Sequence, residues 1–240
     1  MIGPESFQYR TRTQPAFLCV LPLSLTLALI FGLSRSYLSG VVSFAASAGV
    51  LYFIATFVRD RGRRIQEELW SAWGGAPTTQ LLRTGTDESE ELRARRWWLM
   101  QTLMNQGANI QGTGPSDAEI EVYVARLREI TRDREAFHLI STENANYGFR
   151  RNMLGLRSLG IALGAAAFFI ALGAALIAVH DHRSSRAILL GVTSAADLCV
   201  IALWVWSVSR DWVKRQAYNY ARALLGSAEV LVENMTRGDR

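Results

Sequence analysis

Apolar residues gather into four long runs, Ala16 to Leu33, Val41 to Val58, Ser158 to Val179 and Ala187 to Val208, with a long polar insert between the second and third. At about 1.5 Å of rise per residue, runs of about 18 to 22 residues reach roughly 27 to 33 Å, which matches a hydrocarbon core of about 30 Å. The pattern therefore predicts an all-α membrane protein, with four transmembrane helices in two hairpins and a cytoplasmic helical bundle inserted between spans two and three. The expected organisation is an N-terminal arm and first hairpin over 1–58, a soluble helical domain over 59–157, a second hairpin over 158–209 and a C-terminal cytoplasmic helix over 210–240. Phe31-Gly32-Leu33-Ser34-Arg35 leads straight into a second apolar run, so the first run is expected to be retained rather than cleaved as a signal peptide.

Within the insert, span two is expected to continue as a helical stalk to Trp70, stopping where Gly74-Gly75 supplies a helix end and Pro77 opens a new segment. A second helix fits Asp87 to Met104, with Asp87 as cap and Glu90 three residues on; a third begins at Ser116, with Glu119 in the same relation. Asn105 to Pro115 reads as a loop. Ile120, Tyr123, Val124, Leu127, Ile130 and Phe137 recur at three- and four-residue steps, an apolar stripe that needs a partner. Glu143 to Leu156 contains no proline and should lead helically into span three. Arg210 to Asn234 should continue span four, packing on the insert or on another subunit.

Composition hides this division, because a mean hydropathy close to zero averages two different solvents. The insert from Arg59 to Arg157 carries arginines and acids in nearly equal number, which gives no electrostatic case for an extended nucleic-acid surface. Orientation follows from the arginines: Arg10, Arg12, Arg59, Arg61, Arg63, Arg64, Arg150, Arg151, Arg157 and Arg210 flank the spans on one side. The turns Ser34 to Gly40 and His180 to Arg186 hold only Arg35, Arg183 and Arg186. The positive-inside rule then places both termini and the insert in the cytoplasm, with Trp204, Trp206 and Trp212 as an interfacial belt. Cys19 and Cys199 fall inside spans, where thiols behave as small buried apolar groups.

Asp197 is the sole acid in the four runs and sits near Thr193 and Ser194 in the middle of span four. A carboxylate at that depth costs about 2.5 to 3.5 kcal/mol on insertion scales and must face protein or water. Two readings stand: an element of an ion path, or a hydrogen-bonded packing residue at a helix contact. Gly160, Gly164 and Gly173, with many alanines in span three, form a small-residue face suited to close helix packing, within or between subunits. His180-Asp181-His182 supplies too few ligands for a metal site. The chain contains no P-loop, dinucleotide fingerprint, nucleophile elbow or metalloprotease helix, so neither an enzyme nor a cofactor is expected.

In the insert, Thr78, Thr79 and Arg83 after Pro77, and Arg93, Arg95 and Arg96 beside Trp97-Trp98, are residue types that grip an anion and stack a base. The competing reading is an ion-paired solvated face over core tryptophans.

Several phrases resemble a family: Arg59-Asp60-x-Gly62; Leu69-x-x-x-Trp73-Gly74-Gly75-x-Pro77-Thr78-Thr79-x-x-Leu82-Arg83; Thr131-Arg132-Asp133 with Phe137; and Glu143-Asn144-x-x-Tyr147-Gly148-Phe149-Arg150-Arg151-Asn152. Across roughly 59–157, and in the layout of membrane helices, the chain resembles membrane effectors of bacterial anti-phage defence, such as the channel-forming effector of the Hailong system. The resemblance implies a homo-oligomeric ion channel of the bacterial inner membrane, with a tetramer favoured. It implies a regulatory insert and a nucleotidyltransferase partner whose oligonucleotide product binds that insert. Thr78, Thr79, Arg83, Arg132, Arg150 and Arg151 are the expected ligand contacts. The alternative is a non-conducting membrane scaffold that recruits a soluble partner.

Overall fold

The computed structural model describes residues 4–32, 37–83, 89–104 and 114–238; the side chains of 4, 5, 37–48, 50–52, 55 and 238 lie outside that description. No strand occurs among the described residues. In chain order the helices are α1 (Pro4–Gln8), a π-helical turn (Tyr9–Thr13), α2 (Gln14–Gly32), α3 (Tyr37–Trp73), α4 (Pro77–Leu82), α5 (Glu90–Leu103), α6 (Asp117–Ile130), α7 (His138–His180), α8 (Ser184–Ser207) and α9 (Arg210–Gly238). Among the described residues, Ser6–Gly32, His138–His180 and Ser184–Ser207 are long and apolar enough to cross a membrane. The expected second span, Val41 to Val58, falls within α3, but most of its side chains lie outside the described set.

The chain divides into two compact units. One comprises 6–65 and 148–213, and therefore contains the apolar helices. In it α7 and α8 run antiparallel, joined by a tight turn in which the Arg183 N–H donates to the Ala178 carbonyl at 2.9 Å and His182 takes φ +54°. Against this pair, α2 runs antiparallel to α8: Ala16, Cys19 and Val20 pack with Trp204 and Val208, while Ile30 packs with Leu190 at the other end. Ile54 and Val58 of α3 join the first of these clusters, together with Met153 and Leu156. Cys19 is buried as expected, but Cys199 is exposed, because its side of α8 carries the outward residues Leu198 and Leu203.

The other unit, 66–147 with 214–240, has a core of a different composition. Leu81 and Leu82 of α4, Leu99 of α5, the α6 stripe Ile120, Tyr123, Val124 and Leu127, and Leu224 and Leu225 of α9 pack together. The predicted stripe is thus a core face, ending with half-buried Ile130; Phe137 packs on the same core from beyond the end of α6. α9 supplies the partner surface that the stripe required.

Local sequence explains the boundaries. α6 begins with a capping box in which Ser116 and Glu119 each satisfy the other's backbone N–H, as predicted. α5 departs from expectation: its cap is Ser89, whose hydroxyl accepts the Leu92 N–H at 3.3 Å, and Asp87 lies outside the described residues. Ser89 sits directly before Glu90-Glu91, so the two acids occupy the first turn, where the helix dipole favours them. α9 does not continue span four. The chain breaks at Val208-Ser209, and the Ser209 hydroxyl accepts the Trp212 N–H at 3.2 Å, starting a new helix.

Candidate functional site

The polar residues of α8 divide their partners between two neighbouring helices. Asp197 is 5% exposed and accepts a hydrogen bond from the fully buried Thr26 hydroxyl of α2 at 3.0 Å. Ser194 donates to the Phe168 carbonyl of α7 at 3.4 Å. Thr193 joins neither contact, since its hydroxyl donates to Leu189 in its own helix at 2.9 Å. Thr26 was not singled out from the sequence. The available signal was depth: Thr26 and Asp197 both fall close to the middle of their apolar runs and therefore meet when the helices run antiparallel. Beside the clasp, a cleft of about 620 Å³ opens between α2 and α8, with Leu18 and Leu25 on one wall and Val192, Ala196 and Leu203 on the other.

The small-residue face of α7 lies within the subunit at Gly160 and Gly164. A Cβ on Gly160 would come within 2.6 Å of the Trp204 ring, and one on Gly164 within 3.0 Å of Ile201. Ala167, Ala171, Ala175 and Ala178 continue this buried face. Gly173 lies off it, with nothing within 4 Å of its Cβ position.

At the arginine-rich end of the same unit, two of the motif phrases meet. A Cβ on Gly62 would overlap the Asn152 carboxamide and approach Arg151 Nε at 3.3 Å. Asn152, itself buried, donates from Nδ2 to the Thr11 carbonyl in the π-helical turn at 2.6 Å. Gly148 admits the Thr11 methyl, and Gly155 lies against the Arg61-Gly62 backbone. Three chain segments therefore close on each other, most tightly at Gly62, where a Cβ would overlap the Asn152 side chain. Arg150 donates to the Trp212 carbonyl at 3.1 Å, and its guanidinium stacks 4.9 Å from that indole.

In the unit that contains 66–147 and 214–240, the Trp73-to-Arg83 phrase closes the end of α3. Gly74 and Gly75 take φ of +81° and +132°, and the Gly75 N–H reaches back to the Trp70 carbonyl at 2.8 Å. Gln80 donates to the carbonyls of Trp73 and Gly75 at 2.6 and 2.9 Å, and accepts from the Tyr218 hydroxyl. Arg83 donates to the Gly74 carbonyl at 2.6 Å and forks onto Asp117, with Nε 2.8 Å from Oδ1. The hydrogen bonds between the two hold the Asp117 carboxyl below its ordinary range and raise the Arg83 guanidinium above its own. Burial pushes the Tyr123 phenol up to about 12.

The predicted ligand contacts are thus distributed. Thr78 is buried and Thr79 half-buried in α4, a helix of only 6 residues. Arg83 serves the turn, and Arg132 pairs with Glu129 on the surface at 3.1 Å. Arg150 and Arg151 belong to the other unit. Trp97 donates to the Leu82 carbonyl at 2.7 Å and packs on the core, and Trp98 carries Arg95 over its ring at 4.7 Å. Among the described residues no cluster of three or more His, Cys, Asp or Glu side chains is arranged to hold a metal.

These features define a class: an all-helical protein, three of whose described helices are long and apolar enough to span a membrane, one of them, α7, running from one compact unit into the other. Comparison with family models, curated proteins and solved structures finds no match to the chain.

Proposed function

We propose that the chain is the subunit of a homo-oligomeric, ligand-regulated ion channel in the bacterial inner membrane, acting in anti-phage defence under a nucleotide or oligonucleotide signal. In this reading α3 provides the fourth span, and both termini and the soluble unit face the cytoplasm, in accord with the arginine distribution. A tetramer and a nucleotidyltransferase partner are what the family resemblance implies.

The observation that carries the reading is the Asp197–Thr26 clasp. A carboxylate at mid-span is costly, and here a single hydroxyl from a neighbouring helix holds it beside a cleft. Displacing α2 by one hydrogen-bond length would release the carboxylate, which is the change a gate needs. α3 and α7 each run unbroken from residues of the soluble unit into the membrane unit, giving a bound ligand a mechanical route to the spans. Ligand contacts at Thr78, Thr79, Arg83, Arg132, Arg150 and Arg151 belong to the same proposal.

Planar-bilayer recording on the purified chain is the test. Currents that respond to nucleotide ligands are expected, and Asp197→Ala should change conductance or ion selectivity while leaving the assembly's size unchanged. Silence with and without ligand sinks the channel. The second reading, a non-conducting scaffold, draws on Arg83, whose guanidinium is already committed to Gly74 and Asp117. It predicts that the full chain in detergent captures a soluble partner and passes no current.

A further inference from the structure

The cleft between α2 and α8 lies wholly within the membrane unit, and its shape and ends point to an occupant. Its lining on α8 runs from Val192 to Val208, about 24 Å at ~1.5 Å per residue. At about 620 Å³ the cleft has room for an extended hydrocarbon chain.

Two of the polar groups along it are bonded within the protein, and Ser207 lies toward the Trp212 end. Thr193 donates to its own helix, and Asp197 accepts from Thr26. What remains is a hydrocarbon wall, which favours neither a file of water nor a polar ligand. One end differs. Trp212 lines the cleft there, and the Arg150 guanidinium stacks on its ring, placing a fixed cation and an interfacial indole at the mouth of an apolar slot. An apolar channel along the helices, ending in an arginine beside a tryptophan, is complementary to a phospholipid: acyl chain in the slot, phosphate at the mouth.

We propose that this cleft binds one acyl chain of an anionic phospholipid, with Arg150 at its headgroup. A channel or a scaffold with the same helices would hold the lipid equally; the one exchange is Arg150, which here serves the headgroup in place of a nucleotide contact.

Native mass spectrometry of the full chain, released from detergent with added phosphatidylglycerol or phosphatidylcholine of identical acyl chains, tests it. One retained phospholipid per subunit is expected, with about fivefold preference for phosphatidylglycerol, as one arginine near a phosphate supplies. Ala196→Phe places a ring in the slot and should weaken retention about tenfold for both lipids, with circular dichroism confirming the fold. Arg150→Gln should bring the headgroup preference below about twofold, lowering phosphatidylglycerol retention more than phosphatidylcholine retention, a split that general misfolding would not produce. Retention that is unaffected by Ala196→Phe, or equal for the two lipids in the native chain, overturns the proposal. So does a change of oligomeric state in Ala196→Phe with lipid content unaltered, which would give the cleft to a second copy.

Discussion

The two units expose opposite kinds of residue. In the unit of 66–147 and 214–240 the interior is mainly leucine, isoleucine and tyrosine, and the outside is mostly polar or charged. In the membrane unit the closely packed positions include Gly160, Gly164, Ala167, Ala171, Ser194 and Asp197, while Phe169 is 67% exposed, Ile177 65% and Trp206 80%. Water drives the first arrangement, because removing apolar surface from it is favourable. Lipid tails supply no such drive, so helices there are held by close approach of backbones and by the few polar groups that need each other. The difference teaches that exposure means different things in the two halves: large apolar side chains cover much of the outside of one and few positions on the other.

Core truncation separates the halves most sharply. Leu224→Ala, at a fully buried position, should cost about 2 to 5 kcal/mol, read as loss of hydrogen-exchange protection along α6. Phe169→Ala removes a larger side chain from the lipid-facing side and should leave thermal unfolding in detergent within about 0.5 kcal/mol of the native chain. Equal losses would collapse the contrast.

Enlarging a small residue is the converse operation. Gly160→Leu must displace the Trp204 ring and should cost about 1 to 3 kcal/mol in detergent unfolding, whereas Gly173→Leu meets open space and should be close to neutral. Next in size is Thr26→Val, which deprives Asp197 of its donor at constant volume; a loss of about 0.6 to 2 kcal/mol is expected, in the range of interhelical hydrogen bonds in membranes. Restored stability in the double variant with Asp197→Leu would show that the two residues act as a pair.

The smallest effect belongs to pH and falls on the soluble unit. The Asp117 carboxyl is depressed, so its pairing with Arg83 contributes fully at neutral pH and fades as pH falls through and below the ordinary carboxylate range. The Tyr123 phenol is raised from 10.0 to about 12, so its contribution is present below pH 10 and is lost as pH climbs toward 12. Thermal scans of Asp117→Asn should show a shallower acid limb, and Tyr123→Phe a shallower alkaline one. The Arg83 pair is exposed, and its change will be a fraction of the core effects.

Hydrophobic period and capping chemistry made much of this legible. The capping box at Ser116, the α6 stripe and the apolar lengths of α2, α7 and α8 were readable because each depends on residues close in sequence. The break at Ser209 was missed because a serine among apolar and basic residues also suits a continuing helix, and only its hydroxyl's choice of Trp212 ends the span. The site was less legible. Asp197 stood out as an acid among apolar residues, but Thr26, 171 residues away, required the helix register. Arg83 resembled an anion ligand because nothing in its local sequence reveals Asp117 or the open carbonyl of Gly74.

The glycine seat beneath Trp204 has a practical corollary. Because backbone rather than a side chain lies against that indole, its emission depends on how tightly the α7–α8 pair is shut. With the other tryptophans exchanged for phenylalanine, a red shift in fluorescence would register separation of the two helices. The protein thus carries its own optical gauge for any rearrangement inside the bilayer.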